Sequence, residues 1–323
     1  MRYPMKLKAP LKDYLWGGTR LKTAYGKKTE LESVAESWEL SCHAAGMSVI
    51  ENGEAAGKTL AQWLAEEGRE PLGIKVDAKA QDAFPLLVKL IDAKKNLSIQ
   101  VHPTDEYARR VEGDFGKTEM WYIVETEPRA SIFYGVKEAI TKEDFARHIR
   151  ENTLTDILRR IEVHKGEAYF IPAGTIHAIG KGTLICEIQQ SSNVTYRVYD
   201  YDRRGKDGKP RELHIKKAMD VANLEPVKNS AVLNLSVDIF AGAKARLIVA
   251  EPCFTVYELQ IEDSARLFVR EDSFQTFTLL EGALTLLAGD EILPLGKGDT
   301  VFLPAGLGRY DLTGFGKVIL SKL

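Results

Sequence analysis

The chain has 323 residues, 44% of them apolar and 28% charged, with a formal net charge of -2. That length exceeds what one hydrophobic core ordinarily serves and predicts two domains. The small net charge, with no stretch where lysine and arginine accumulate, argues against nucleic acid and anionic membranes as partners.

Cys42, Cys186 and Cys253 are few and far apart, so they build no disulfide framework and read as inert fillers of a protein in a reducing compartment. The opening MRYPMKLKAPL lacks an apolar signal core, and nowhere do about 18 apolar residues run uncharged. A cytoplasmic location is therefore expected.

In chain order, Thr59 opens a T-x-x-Q capping box ahead of LAQWLAEEG, predicting a helix over 58–68. A second helix is expected over 104–112. Thr141 and Thr153 have the form of N-caps for two more, together filling 141–161. The remainder is short β-branched and aromatic runs separated by Gly, Pro, Asn and Asp: 118–124, 168–172, 183–189, 255–261, 276–280 and 300–304. The fold class is thus mainly β with short helical insertions.

An internal repeat organises the strands. KGEAYFIPAG, from Lys165 to Gly174, matches KGDTVFLPAG, from Lys297 to Gly306, and the alignment extends backwards to pair EMWYIVET at Glu119 with QTFTLLEG at Gln275. KG[DE]-x2-F-[IL]-PAG resembles the second motif of the cupin superfamily, which implies two double-stranded β-helix, or jelly-roll, barrels. The division is expected within LEPVKNSA, separating a metal-binding catalytic domain, 1–227, from a second, metal-free cupin domain, 228–323.

Comparison of the copies separates what the fold needs from what chemistry needs. His177 aligns with Arg309 and Glu119 with Gln275, and nothing in the second copy resembles Gln100 and His102. In Ser98-Ile99-Gln100-Val101-His102 the polar residues alternate, so on a strand they share one face, while Ile99 and Val101 share the other. Two imidazoles, one carboxylate and a neutral amide oxygen suit zinc with one position left open for water or substrate, and one ion per chain is expected. His43, His148, His164 and His214, by contrast, read as ordinary hydrogen-bonded or solvated histidines.

Further blocks point to one family: LWGGTRL at Leu15, ESWELSCH at Glu36, PLLVKLIDAKKNLSIQVHP at Pro85, GKTEMWYI at Gly116, and PAGTIHAIG through EIQQSSNVTYRVYDYDR from Pro172 to Arg203. Together they resemble type I mannose-6-phosphate isomerases of the short bacterial form, strongly from about residue 7 to 225 and weakly beyond. The resemblance implies zinc ligands at Gln100, His102, Glu119 and His177, a catalytic arginine at Arg197, a pocket lysine at Lys117 and an acid or base at Glu187, with Lys117 the other candidate base if burial beside zinc favours its neutral amine. It also implies interconversion of mannose 6-phosphate and fructose 6-phosphate through a cis-enediol. The substrate phosphate needs cations, for which Lys89, in the apolar run PLLVKLI, and Arg197 are the leading choices, and Ser98 is read as a further substrate-binding residue. The expected partner is a small phosphosugar, with homodimerisation left open. A cupin oxygenase or epimerase using iron or manganese and a non-enzymatic sugar-binding or regulatory cupin are the competing classes.

Overall fold

The computed structural model describes residues 2–76, 84–205, 208–228 and 231–323. It divides into two compact units, one of Met1–Lys12, Thr19–Leu90 and Ala231–Leu323, the other of Asp13–Gly18 and Ile91–Ser230. This grouping differs from a division of the chain at 227, because most of the first 90 residues cluster with the C-terminal segment. Strand pairing supplies the reason. Met5–Lys8 lies antiparallel to Thr300–Leu303, Met5 opposite Phe302, and pairs on its other side with Val49–Ile50.

In this first unit the nine-stranded sheet is dominated by Phe254–Val269, Gln275–Ala288 and Gly308–Lys322. Their alternate apolar side chains, among them Leu259, Leu279, Leu286, Leu312 and Leu320, form one buried cluster with Val301. Each of these buried leucines is worth roughly 1.5–3 kcal/mol relative to exposure. The same unit contains the Leu60–Glu67 helix, started by the Thr59 and Gln62 capping box that the sequence predicts.

Two sheets build the second unit. One carries Glu119–Thr126 between Ala168–Ile171 and Thr183–Gln190. The other runs Tyr196–Tyr199, Ile99–Val101, His177–Ile179, Ser131–Val136, Leu158–Glu162. Ile99, Val101, Ala178, Tyr196 and Val198 pack beneath the helices Lys142–Arg150 and Ile215–Val221, where Phe145 and Ala218 are wholly buried. Residues alternating with Ile99 and Val101 therefore face away from the helices, as strand geometry requires.

The repeat is visible as register. Glu119 stands opposite Ile171 in the second unit, and Gln275 stands opposite Leu303 in the first, at aligned positions. Gly166 and Gly298, aligned in the KG turn, have φ of 89° and 94°, a conformation that side chains rarely adopt. At Gly298 a Cβ would also lie 2.3 Å from the Tyr25 carbonyl oxygen.

Two helical expectations change. The helix after Thr153 ends at Ile157, and Leu158–Glu162 is an edge strand paired with Ser131–Val136. Thr153 makes no side-chain cap, and Arg159 and Arg160 are exposed while Leu158 is buried, so pairing prevails over helix propensity. The Ile215–Val221 helix was not anticipated. It lacks a side-chain cap and is held by tertiary contacts instead: Ala218 in the core, Lys217 to Glu112 at 2.7 Å, and Tyr107 to Asp220 at 2.8 Å. No helix among the described residues is long and apolar enough to cross a membrane.

Candidate metal centre

Three strands of the second unit place Arg197, Gln100 and His177 in one cross-strand row, since Gln100 is the register partner of both neighbours. Glu119 begins the strand between Ala168–Ile171 and Thr183–Gln190 in the other sheet, and His102 lies just past the end of Ile99–Val101. Their side chains converge: one ligand atom each from His102, Glu119 and His177 fall within 4.8 Å of one another, all buried. The Nε2 atoms of His102 and His177 are 3.5 and 3.4 Å from the Glu119 carboxylate.

The outer ring nitrogens fix the tautomers. Nδ1 of His102 is 2.8 Å from the Val194 carbonyl oxygen, and Nδ1 of His177 is 2.8 Å from that of Thr175. A carbonyl only accepts, so each Nδ1 carries the proton and each Nε2 presents a lone pair to the carboxylate. Burial, with the nearby Lys117 charge adding, pushes the His177 pKa down to about 4, while the Thr175 carbonyl and Glu187 pull the other way. Neutral imidazole is the form that ligates metal. Two Nε2 lone pairs and one carboxylate meeting in a buried place fit a divalent cation such as zinc.

Gln100 lies at the edge of this group, its amide nitrogen 3.4 Å from His177 Nε2. A half-turn of the amide presents its oxygen there instead, as a fourth ligand would require. Lys117, buried, sets its ammonium 2.5 Å from Glu119, 3.1 Å from His102 Nε2 and 3.7 Å from Glu187. Glu187 is the register partner of Trp121 and accepts its indole N–H at 3.1 Å. Ser98 is buried, with its hydroxyl 3.5 Å from the Gln100 oxygen and 3.3 Å from Arg197 Nε, which donates to it.

Arg197 is half-buried, and burial, with Arg211 adding, lowers its pKa below the ordinary value. It also donates from Nη1 to the Glu212 carbonyl at 2.9 Å. Lys89 belongs to the first unit. There it is buried 3.8 Å from Glu36 and stacks 5.0 Å from the Trp38 ring centre. The structure thus gathers eight of the nine sequence-predicted site residues in the second unit. What sequence reasoning missed is the support: Trp121 on Glu187, the Val194 and Thr175 carbonyls on the two rings, and residues 212–214 on Arg197. No pattern in the chain marks main-chain acceptors.

The first unit supplies the contrast. Gln275, aligned with Glu119, is buried with its amide used up between the Tyr310 hydroxyl at 2.9 Å and the Phe268 carbonyl at 3.0 Å. Arg309, aligned with His177, is exposed and paired with Asp311. Among the described residues, His102, Glu119 and His177 form the only group of three or more His, Cys, Asp or Glu side chains that could hold a metal. His43 accepts from the Ala45 amide and His148 bonds Thr153, in the ordinary manner.

A jelly-roll barrel with buried histidines and a glutamate converging in one place defines a cupin with a site that could hold a metal. Residues 5–134 match the family model described as phosphomannose isomerase type I, catalytic domain, and 244–323 match that of the mannose-6-phosphate isomerase cupin domain. The mannose-6-phosphate isomerase ManA of Bacillus subtilis is 37% identical over 321 residues, 99% of each chain. A crystal structure of the mannose 6-phosphate isomerase from Bacillus subtilis superimposes with a TM-score of 0.92 at 39% identity, covering 99% of each chain. A zinc-bound mannose 6-phosphate isomerase shares the fold, with a TM-score of 0.78 at 16% identity over 98% of each. The chain belongs to the type I mannose-6-phosphate isomerase family, and it is an isomerase of that family.

Proposed function

We propose that the protein is a zinc-dependent aldose-ketose isomerase interconverting mannose 6-phosphate and fructose 6-phosphate through a cis-enediol, with one zinc per chain in the domain of residues 1–227. The observation that carries this reading is the placement of Lys117, Glu187 and Arg197 around the His102, Glu119 and His177 group. An apolar substrate for oxygen chemistry has no use for so many charges. A sugar phosphate has.

His102, Glu119 and His177, with Gln100, hold the metal. When bound, zinc supplies Lewis acidity that stabilises negative charge on the sugar oxygens. The C2 proton of an aldose is very weakly acidic, so its removal needs both a base and stabilisation of the charge that forms.

Glu187 is the proton acceptor: a buried carboxylate anchored by Trp121, with its other oxygen toward Lys117. It takes the proton from C2 as the C1–C2 double bond forms and O1 gains a proton. Return of a proton to C1, with O2 giving up its own proton as it becomes the carbonyl, gives the ketose. No oxidant or reductant is consumed. Lys117 supports this exchange by donating to the hydroxyl oxygens, and Arg197, which does not release its proton, faces the enediolate or the phosphate. Ser98 is assigned to the substrate's polar groups.

A coupled assay with mannose 6-phosphate, run on metal-loaded protein, after chelation, and after return of zinc, tests the reading. Turnover, its loss and its recovery are expected in that order. Metal-loaded protein that does not form fructose 6-phosphate sinks it.

A further inference from the structure

Tyr196–Tyr199 is an edge strand, paired only with Ile99–Val101, so its outward main-chain groups need partners from outside the sheet. At Arg197 one residue supplies both. The Arg197 amide donates to His214 Nδ1 at 3.3 Å, and the His214 amide donates to the Arg197 carbonyl at 2.7 Å. His214 thereby imitates a strand neighbour for a single residue, using its ring where a strand would use a carbonyl.

The choice has a local cost. His214 occupies the N-cap of Ile215–Val221 but makes no side-chain cap to that helix, its ring being turned to Arg197 instead. The anchor itself is fixed from the other side. Glu112 accepts both the Tyr196 hydroxyl and the Lys217 ammonium at 2.7 Å, tying the helix after His214 to the residue before Arg197. Two residues before His214, the Glu212 carbonyl takes the Arg197 guanidinium itself.

We propose that His214 is a positioning residue for Arg197, setting through its Nδ1 and main chain where the guanidinium stands, beside Ser98 and the Glu212 carbonyl. This rests on the reading that Arg197 acts on the sugar phosphate. Misplacement of a catalytic group by about 1 Å can cost on the order of 100-fold in rate, so the effect falls on kcat rather than on metal content.

The test compares His214→Asn, His214→Gln and His214→Ala in zinc-loaded protein, measuring kcat, KM for mannose 6-phosphate, zinc content and thermal midpoint. Asparagine carries its acceptor oxygen near the place of Nδ1; glutamine carries it near Nε2. Alanine is expected to lower kcat about tenfold or more with zinc retained, asparagine to restore most of that loss and glutamine little of it. If the alanine protein does not fold, the asparagine and glutamine pair decides alone.

Alanine with unchanged kcat, or glutamine matching asparagine, overturns the proposal. A combined Arg197→Ala, His214→Ala protein should be no slower than Arg197→Ala, since His214 acts through the arginine; a further loss would show a general structural role. Should Arg197→Lys keep full turnover, the catalytic reading of Arg197 falls instead. That failure is told apart from failure at His214.

Discussion

Gln100 and Arg197 are direct register partners on adjacent antiparallel strands, and Gln100 has His177 as its partner on the other side. Cross-strand partners on one face lie about 4.5–5.5 Å apart at Cβ. The proposed metal ligands Gln100 and His177 and the proposed charge-stabilising Arg197 therefore stand in one cross-strand row, and a change in either function should leave the other largely in place.

Removal of a ligand should separate the two barrels. His102→Ala is expected to abolish bound zinc, measured by elemental analysis after dialysis, because two of three converging donors do not make a site. Arg309→Ala, at the position aligned with His177, should keep full zinc occupancy, its side chain being an exposed partner of Asp311.

Arg197→Lys should reduce turnover by about tenfold or more while zinc is retained. The guanidinium serves Ser98 from Nε and Glu212 from Nη1 at once, and an ammonium cannot reproduce that planar fork. Zinc loss would mean that the arginine shapes the metal site.

Trp121→Phe deletes the indole donor to Glu187 and also leaves a cavity in the core, where the Trp121 ring packs edge-on to His177 with centroids 5.4 Å apart. A lost hydrogen bond to a buried carboxylate costs roughly 1.5–3 kcal/mol. We expect lower kcat, with zinc content measured alongside; unaltered kcat would show that the Trp121 hydrogen bond does not tune Glu187.

Acid should destabilise the metal-free protein through His177. Its folded pKa, about 4, lies below the ordinary value of 6.5, so the unfolded chain takes up the proton first. The stability it contributes is complete above the ordinary value and is lost as pH falls toward the folded one, by roughly 2 kcal/mol at pH 5. Denaturant titrations in chelator at pH 7.5 and 5 measure this, and His177→Asn should flatten the slope.

Where a residue's task is set by strand alternation or by the repeat, it was legible. Ser98, Gln100 and His102 against Ile99 and Val101 is a period-two pattern, and the helices packed on Ile99 and Val101 show why it must be. The difference between the copies was legible for a related reason: Gln275 and Arg309 stand at the positions aligned with Glu119 and His177.

Features that depend on distant partners were not. LRRIE reads as helix until the Ser131–Val136 strand offers its edge, and IKKAMDV is helical because Glu112 and Tyr107 hold it. His214 looks like any surface histidine, since nothing local says that its ring meets an amide at residue 197.

The pairing of Met5–Lys8 with Thr300–Leu303 joins strands separated by most of this sequence. On the ribosome Met5–Lys8 emerges well before this partner and must wait, that hydrogen-bonding edge unsatisfied, until the intervening chain has followed it. Such long-range closure is slow and leaves the nascent chain open to misassociation. A fragment cut at 228 would inherit the same difficulty in permanent form: Thr300–Leu303 would present a bare edge, and aggregation is the expected fate of that piece expressed alone.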